Sequence, residues 1–264
     1  MKILVTGANG FVGKKIMETC PDAVASPSLR NKTEDDIRRI VGESGADVII
    51  HTAAISDMRV CESDPENSYI ANTVLPTYLA RASSGIKLIC FSSDQVYNAC
   101  SSDGPFSEDD AAPGNVYARH KLEMEQRVLD ILPSAVMLRS EWMFDYNPSR
   151  SNYLMLVLSA NDRLSFSSKQ YRGITYLREV AENIVQATTL PGGSYNFGSE
   201  TDRSMYEITS DFLKLIGKDT PLDDPMTGKN LWMDCSKARG YGIRFSSVTD
   251  GLIRCAEDYG LGRN

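Results

Sequence analysis

Short runs of consecutive apolar residues alternate with amphipathic stretches along the first two-thirds of the chain. The apolar runs predict six strands, at residues 2–7, 23–26, 47–54, 87–93, 135–142 and 193–198. The amphipathic stretches predict five helices, at residues 11–20, 33–44, 65–84, 115–132 and 178–190, the third with a kink before Pro76. Because such strands are apolar on both faces, they belong in a parallel sheet that helices cover on both sides. The predicted fold class is therefore α/β, with a doubly wound parallel sheet.

The pattern becomes less regular after Trp142. Two further stretches, 205–217 and 248–260, predict helices that do not continue the alternation with strands. We therefore expect two domains. The first comprises residues 1–145 with a return segment at about 176–198, and a smaller helical C-terminal domain comprises 146–175 and 199–264.

Composition narrows the classes of partner. The 264 residues carry a net charge of −7, and 42% of them are hydrophobic. An acidic surface disfavours nucleic acid and anionic membranes, because both attract basic proteins. No apolar run approaches the roughly 20 residues that span a bilayer. The chain enters its first predicted strand directly, without the pattern of a signal peptide. We expect a cytoplasmic protein.

Cysteine and histidine offer little for a metal site. The six cysteines are scattered without CxxC spacing, and the two histidines are His51 and His120. This pattern indicates reduced thiols instead of a disulfide framework or a zinc site, and no metal is predicted. We expect His51 to be a hydrogen-bonded core residue and His120 to face solvent.

A glycine-rich turn follows the first predicted strand. The stretch "TGANGFVG" places Gly7, Gly10 and Gly13 at intervals of three residues between a strand and a helix. Such glycines allow a tight turn, a close approach of a diphosphate to the backbone, and close packing of helix on strand. This context predicts a Rossmann-type dinucleotide site, with a plain strand-to-helix turn as the alternative. A P-loop is disfavoured because Lys15 stands where serine or threonine would bind magnesium.

The stretch after the second strand bears on the choice of cofactor. An acidic residue usually binds the ribose 2′-hydroxyl of NAD there, but none occurs between Ala23 and Lys32. Ser26, Ser28 and Arg30 are suited instead to a 2′-phosphate. NADP(H) is therefore the preferred cofactor, and NAD(H) stays open as the alternative.

Three residues have the chemistry that reduction of a carbonyl group needs. Ser93 is expected at the carboxyl end of a parallel strand, and Tyr117 and Lys121 lie one turn apart on the following helix. A nearby ammonium favours the phenolate and helps a tyrosine to exchange a proton. A serine hydroxyl can donate a hydrogen bond to the carbonyl oxygen as charge develops. The alternative is that Tyr117 and Lys121 belong to a solvated helix face and that Ser93 only ends a strand.

These segments, in this order, resemble the extended short-chain dehydrogenase/reductases, and most of all the dTDP-4-dehydrorhamnose reductase family. The resemblance extends over nearly the whole chain. "HTAA" is similar to the family's Asn-Ala-Ala, "SSDQVY" to its Ser-Thr-Asp-Tyr-Val-Phe, and "LRSEWMF" to its Arg-Thr-Ser-Trp-Val-Tyr. "KNLWMDCSKARGYGI" at 229–243 is similar to a C-terminal segment of the family. The resemblance implies a catalytic triad of Ser93, Tyr117 and Lys121.

The resemblance also implies two sets of binding residues. Those for the cofactor are Gly7, Asn9, Gly10, Phe11, Val12, Gly13, Arg30, Thr52, Ala53, Ala54, Tyr117 and Lys121. Those for the substrate are Ser93, Asp94, Gln95 and Trp142, with core packing as the alternative role of Trp142. The chain departs from the family at Gln95, at Asn98-Ala99, in "RGITY" at 172–176 and in the C-terminal segment, so the substrate is less defined than the chemistry.

The activity that the resemblance implies is NADPH-dependent reduction of a keto group on a nucleotide-linked sugar. Tyr117 would protonate the oxygen, Lys121 would lower the pKa of Tyr117 and hold the nicotinamide ribose, and Ser93 would polarise the carbonyl. Two alternatives stay open. One is a catalytically silent NADP-binding regulatory subunit, similar to the β subunit of methionine adenosyltransferase. The other is a nucleotide-sugar epimerase or dehydratase. The oligomeric state stays open, with a homodimer as one candidate.

Overall fold

The computed structural model of the chain describes residues 1–262. Its strands are β1 Ile3–Thr6, β2 Ala23–Ala25, β3 Val48–His51, β4 Lys87–Ser93, β5 Val136–Ser140, β6 Trp142–Phe144, β7 Leu164–Ser165, β8 Ile174–Tyr176, β9 Gly193–Phe197 and β10 Leu222–Asp223. Its α-helices are α1 Phe11–Thr19, α2 Glu34–Ser44, α3 Met58–Ser63, α4 Pro65–Tyr69, α5 Leu75–Ala82, α6 Val116–Ile131, α7 Tyr153–Ser159, α8 Leu177–Ala187, α9 Met205–Leu215, α10 Ser236–Gly240 and α11 Val248–Asp258.

Six of the strands form one parallel sheet in the order β2-β1-β3-β4-β5-β9. The strand order changes direction between β1 and β3, as in the doubly wound 2-1-3-4-5 arrangement, and β9 extends the other edge. Ligands of such sheets bind at the carboxyl ends of the strands beside this switch point. The predicted fold class is confirmed, and the topology places the ends of β1 and β3 at the expected ligand site.

Helices cover both faces of the sheet. Neighbouring residues of a strand point to opposite faces, so Val5 and Ile50 pack with α1 and α8, whereas Leu4 and Ile49 pack with α2, α5 and α6. The strands are therefore buried on both sides, which explains their continuous apolar sequences.

A second cluster of buried apolar residues surrounds Tyr153 and draws on β6, β8, α7, α9 and α11. The ring of Tyr153 lies 6.3 Å from that of Phe144, 5.6 Å from that of Phe166 and 6.4 Å from that of Phe212, measured between ring centroids. The predicted helical C-terminal domain also contains strands, namely the parallel pair β7–β10 and most of β8, which pairs with β6 of the predicted first domain. The domain boundary at residue 145 stays a prediction.

The apolar run at 135–142 is not one strand, contrary to the prediction. β5 ends at Ser140 and pairs with β4 and β9, whereas β6 begins at Trp142 and pairs with β8. The chain changes partners at Glu141, which is buried and accepts a hydrogen bond of 2.8 Å from the Thr175 hydroxyl of β8. A buried carboxyl that needs a partner outside the main sheet thus ends the strand.

The predicted helix at 65–84 is interrupted where a kink was expected. A π-helical segment, Ile70–Val74, separates α4 from α5, and the Leu75 N–H bonds to the Ile70 carbonyl five residues earlier. Pro76 has no N–H to bond to the carbonyl of Asn72, which favours a wider turn at this point. The helices α3, α7 and α10, each of seven residues or fewer, were not predicted.

The two histidines differ in their surroundings. Nδ1 of the buried His51 lies 2.6 Å from the Thr6 hydroxyl, as expected of a hydrogen-bonded core residue. The expectation that His120 faces solvent is wrong, because its Nδ1 lies 2.9 Å from the Ser68 hydroxyl and its ring packs edge-on against Tyr69. All six cysteines are free thiols. Within residues 1–262, no helix is both long and apolar enough to cross a membrane.

Candidate active site

A cleft of about 930 Å³ opens at the carboxyl ends of the central strands. Almost every predicted site residue lines it. These residues are Gly7, Asn9, Gly10, Phe11, Val12, Arg30, Thr52, Ala53, Ala54, Ser93, Asp94, Gln95, Tyr117, Lys121 and Trp142. The cleft therefore brings the predicted cofactor, catalytic and substrate residues into one place.

The three glycines of the turn have different roles. Gly7 has a φ of +72°, which residues with a side chain rarely adopt, and a Cβ there would lie 2.7 Å from the backbone nitrogen of Ala53. Gly10 lines the cleft at the start of α1, and its N–H donates to the Gly7 carbonyl over 2.8 Å. Gly13 lies beneath the turn, where a Cβ would come within 2.2 Å of that same carbonyl oxygen. The turn therefore leaves open backbone at the N-terminus of α1, which suits a diphosphate.

The segment after β3 is held from two directions. The Thr52 hydroxyl donates to the Thr6 carbonyl over 2.8 Å, which links the ends of β1 and β3. Asn72 of the π-helical segment accepts from the Ile55 N–H over 3.1 Å and donates to the Ile55 carbonyl over 2.9 Å. The sequence did not point to Asn72 as a site residue. Its one sequence signal is Pro76, which lies four residues later. Its two bonds fix the backbone that follows Thr52-Ala53-Ala54 in the cleft.

Ser26, Ser28 and Arg30 line the part of the cleft beyond β2. The Arg30 side chain is exposed there, and its backbone N–H donates to the Ser28 hydroxyl over 3.3 Å. The next residue, Asn31, has a φ of +61° and also lines the cleft. A cation and two hydroxyls thus lie where the sequence predicts a 2′-phosphate, and their role in binding it stays a prediction.

Helix α6 presents Tyr117 and Lys121 to the sheet. Lys121 is 1% exposed, and its ammonium donates to the Phe91 carbonyl of β4 over 2.5 Å. Burial lowers the pKa of Lys121 to about 8, although the nearby Cys90 and Glu125 oppose this shift. The side chain is therefore still mainly an ammonium at pH 7, but it holds its proton less firmly than an exposed lysine.

The two serines at the end of β4 are not equivalent. The Ser92 hydroxyl donates to Glu125 over 2.5 Å. The Ser93 hydroxyl accepts the Gln95 N–H over 3.2 Å and lies 3.2 Å from an Asp94 carboxylate oxygen. Strand residues alternate between the two faces of the sheet. The Ser92 hydroxyl therefore belongs to a buried hydrogen-bond network, and Ser93 is the serine that lies beside Tyr117.

Burial dominates the titration of Tyr117. It raises the pKa of the phenol well above 10, while the Ser93 hydroxyl opposes this shift and the Asp94 carboxylate adds to it. The Lys121 ammonium is bonded to the Phe91 carbonyl, and the expectation that it lowers the pKa of Tyr117 stays a prediction. Tyr117 is therefore a protonated phenol at neutral pH, which is the form that donates a proton.

Arg172 lines the cleft although the sequence did not single it out. Its Nη2 donates to the Asp94 carboxylate over 2.6 Å, and its guanidinium carbon lies 5.4 Å from the centroid of the Trp142 ring system. Asp94 is buried, which raises the pKa of its carboxyl, whereas the Arg172 charge lowers it. Arg172 comes from the segment before β8, so only the tertiary fold brings it to the residue after Ser93.

Glu141 also lines the cleft and was also missed. Burial raises the pKa of its carboxyl to about 8, an effect that the Thr175 hydrogen bond opposes. A Cβ at Gly173 would lie 1.8 Å from this carboxyl, and one at Gly198 would lie 2.3 Å from it. The only sequence signal is an acid between the apolar run and Trp142, where the similar family segment has serine.

Arg150 is a third cleft residue that the sequence did not reveal. Its guanidinium carbon lies 5.2 Å from the centroid of the Phe11 ring, and Phe11 is the first residue of α1. A cation therefore lies beside the helix N-terminus, where it adds to the positive potential of the free N–H groups.

Comparison with known proteins assigns the chain to a family. Residues 1–233 match the family model described as RmlD substrate binding domain. The chain belongs to this family. Among its relatives, the dTDP-4-dehydrorhamnose reductase of Mycolicibacterium smegmatis is 34% identical over 152 residues, which cover 54% of this chain and 46% of that protein. The match therefore spans less than half the length of that relative.

Another relative has a different kind of name. Methionine adenosyltransferase 2 subunit beta of Xenopus tropicalis is 28% identical over 280 aligned positions, covering 92% of this chain and 83% of that protein. Among solved structures, the Bacillus anthracis dTDP-4-dehydrorhamnose reductase in complex with NADP superposes with a TM-score of 0.86 at 21% identity, over 98% of this chain and all (100%) of that one. At this identity the superposition establishes the fold alone.

Proposed function

We propose that the chain catalyses NADPH-dependent reduction of a keto group on a nucleotide-linked sugar, as a dTDP-4-dehydrorhamnose reductase does. The observation that carries the proposal is that Ser93, Tyr117 and Lys121 meet in one cleft with an open glycine turn. A proton donor, a hydrogen-bond donor and a cation are the groups that such a reduction requires beside the hydride source.

The residues around the turn fit NADPH. The open backbone from Gly10 to Val12 and the nearby Arg150 suit a diphosphate, and Ser28 and Arg30 suit a 2′-phosphate. When it is bound, NADPH supplies a hydride to the carbonyl carbon.

The protein supplies the proton and the polarisation in this proposal. The Tyr117 phenol, protonated because it is buried, donates its proton to the carbonyl oxygen, and the Ser93 hydroxyl donates a hydrogen bond to the same oxygen. The Lys121 ammonium stabilises the phenolate that remains, since a positive charge in a buried site acts strongly on a nearby anion. Asp94, Gln95 and Trp142 are the proposed contacts to the sugar.

The proposed setting is the cytoplasm, which keeps thiols such as the six free cysteines reduced. A homodimer is the assembly that we propose beyond the single chain. The molar mass in solution, measured by light scattering, distinguishes it from a monomer.

The decisive experiment follows NADPH absorbance with a panel of dTDP- and UDP-linked 4-keto sugars. We expect stoichiometric NADPH oxidation with at least one of them. A protein that binds NADPH but oxidises it with no member of the panel would contradict the proposal. Tightly bound NAD⁺ in the purified protein would favour an epimerase or dehydratase, because such enzymes retain an oxidised cofactor through a complete cycle.

Cofactor preference is tested separately by calorimetry with NADPH and NADH. We expect NADPH to bind more tightly, and Arg30→Ala to narrow the difference by roughly 1–3 kcal/mol through loss of a charge-assisted bond. Lys32→Ala is the matched control, since Lys32 is an exposed cation of the same loop that does not line the cleft. Equal affinities of the unmodified protein for the two cofactors would refute the preference.

A second candidate is a catalytically silent regulatory subunit. It is favoured by the similarity to methionine adenosyltransferase 2 subunit beta over 92% of this chain. Such a protein would bind NADPH without turnover and would co-purify with a larger enzyme. Affinity purification from the native host, followed by mass spectrometry, distinguishes this candidate from an independent reductase.

A further inference from the structure

Arg172 is fixed in the cleft by two residues that the family resemblance assigns to the substrate. Its Nη2 lies 2.6 Å from the Asp94 carboxylate, and its guanidinium carbon lies 5.4 Å from the Trp142 ring centroid. An arginine held by an ion pair and by a cation–π contact with a ring has little rotational freedom. Its remaining N–H groups therefore have defined directions.

The guanidinium retains unused hydrogen-bonding capacity. Arginine carries five N–H donors, and within residues 1–262 the buried Nε of Arg172 has no hydrogen-bond partner. A buried donor without a partner destabilises a protein, by about 1–3 kcal/mol in typical cases. Nη1 also has no hydrogen-bond partner within residues 1–262 and, unlike Nε, is not buried, so it is the donor that a ligand oxygen in the cleft can reach.

The backbone beneath Arg172 is shaped to keep it there. Gly173 packs directly on the Glu141 carboxyl, and a Cβ at that glycine would lie 1.8 Å from Glu141 Oε1. The Glu141 carboxyl in turn accepts from the Thr175 hydroxyl over 2.8 Å. The backbone that follows Arg172 is therefore anchored to Glu141, directly after the end of β5.

Charge indicates what kind of oxygen Arg172 can bind. The Asp94 carboxylate compensates the guanidinium charge at 2.6 Å, so the pair presents donors with little net positive potential. Such a pair suits the neutral hydroxyl or ring oxygens of a sugar better than a phosphate. Another arginine of the cleft, Arg150, lies over Phe11 at the helix N-terminus, where a diphosphate is expected.

We propose that Arg172 is a substrate-specificity residue whose guanidinium, held by Asp94 and Trp142, donates hydrogen bonds to oxygen atoms of the sugar portion of the nucleotide-linked substrate. This inference rests on the proposed function. It assigns Arg172 to the sugar and not to the nucleoside diphosphate to which the sugar is attached. Through Arg172, the "RGITY" stretch would take part in substrate binding. This is one of the stretches in which the sequence departs from the family it resembles.

The test compares a nucleotide sugar with its own nucleotide. Calorimetry would measure the affinities of the full chain, saturated with NADP⁺, for dTDP-glucose, UDP-glucose, dTDP and UDP. For Arg172→Gln we expect at least a tenfold loss of affinity for the nucleotide sugar that binds, with the affinity for the matching free nucleotide changed less than twofold. Arg172→Lys keeps the charge beside Asp94 but loses the planar fork, so we expect a loss of intermediate size.

Two controls separate binding from damage to the fold. Arg163→Gln removes an exposed arginine that also pairs with one aspartate, Asp223, at 2.7 Å, and it should change none of these affinities. The affinity for NADP⁺ and the melting temperature should be retained in Arg172→Lys.

The possible outcomes are distinct. If Arg172→Gln and Arg172→Lys bind the nucleotide sugar as well as the unmodified protein does, Arg172 only supports Asp94 and the inference is wrong. Equal weakening of nucleotide sugar and free nucleotide would place Arg172 on the diphosphate and also overturn it. If the unmodified protein binds no nucleotide sugar, the proposed function itself fails and the inference fails with it. Binding without NADPH oxidation would refute the reductase but leave the assignment of Arg172 intact.

Discussion

A buried phenol beside a serine holds its proton at neutral pH, which suits Tyr117 to donating one. Replacing Tyr117 with phenylalanine removes the hydroxyl and keeps the ring in place. We expect kcat to fall by about 10²–10⁴, the range for loss of a general acid, while the affinity for NADPH and the melting temperature stay unchanged. Tyr195→Phe is a suitable control, because the Tyr195 hydroxyl bonds to the Pro191 carbonyl outside the cleft. Turnover of Tyr117→Phe within a few-fold of the unmodified enzyme would exclude this role.

Glu141 makes stability depend on pH. Burial raises the pKa of its carboxyl from 4.5 to about 8 in the folded protein. Between these values the folded protein binds a proton that the unfolded chain has released, so the free energy of unfolding decreases as pH rises from about 4.5 to 8. Glutamine has the same shape and no proton to lose. We expect Glu141→Gln to be close to the unmodified protein in stability near pH 5 and to be more stable at pH 8, by about 3–4 kcal/mol.

Urea unfolding at both pH values measures this difference. The neighbouring titratable groups, Asp94, Arg172 and the buried thiol of Cys235, are present in both proteins, so their contributions largely cancel. The same stability difference at pH 5 and pH 8 would show that Glu141 does not titrate in this interval.

Individual site residues differ in how far the sequence reveals them. Tyr117 and Lys121 are recognisable because helical spacing puts them on one face, and Ser93 because parallel strands end at a common edge. Arg172 and Glu141 carry no such local pattern, since Arg172 reaches Asp94 across 78 positions of the chain. Long-range contacts of this kind depend on how β6 pairs with β8, which the sequence did not show.

At the scale of elements, the turn between β1 and α1 depends on the absence of a side chain at Gly13. A Cβ at Gly13 would lie 2.2 Å from the Gly7 carbonyl oxygen, so alanine there must displace α1 from the turn. We expect Gly13→Ala to lower the free energy of unfolding by about 1–3 kcal/mol, the range for overpacking, and to weaken NADPH binding strongly.

Gly42→Ala is the matched control for this helix–turn contact. Gly42 lies within α2, and a Cβ there meets nothing within 4 Å. This change should stabilise the protein by about 0.5–1 kcal/mol, as alanine usually does within a helix, and leave NADPH binding unchanged. If the two variants behave alike, the close packing at Gly13 is unimportant for the cofactor site.

Regular elements were predictable where the apolar pattern is long. α2 was located to within a residue or two, because its Thr33 cap and acidic first turn mark the start. The π-helical segment was predictable only as a kink, since proline excludes the regular bond but does not specify which residues adjust. The break at Glu141 was not predictable, because apolar periodicity does not show which sheet a strand joins.

At the scale of the whole molecule, one carboxylate joins three distant parts of the chain. Asp145 is 4% exposed and follows β6. Its Oδ2 lies 2.7 Å from the Lys15 ammonium of α1, and its Oδ1 accepts from the Tyr259 hydroxyl, after α11, over 2.8 Å. The helix that begins at the glycine turn is thereby tied to the C-terminal part of the protein.

Removing the charge of Asp145 tests whether this tie holds the molecule together. Asp145→Asn leaves the Lys15 ammonium, whose side chain is 18% exposed, without its anion. Loss of one partner from a buried ion pair destabilises by about 3–5 kcal/mol, and the partial exposure of Lys15 reduces our expectation to about 1–3 kcal/mol. Asp223→Asn breaks an ion pair with Arg163 whose side chains are 46% and 67% exposed, so it should change the free energy of unfolding by less than about 1 kcal/mol.

Combining Asp145→Asn with Lys15→Met in a double-mutant cycle measures the interaction directly by urea unfolding. If Asp145→Asn is as stable as the unmodified protein, or the cycle gives no coupling energy, apolar packing alone keeps α1 and the C-terminal part in place.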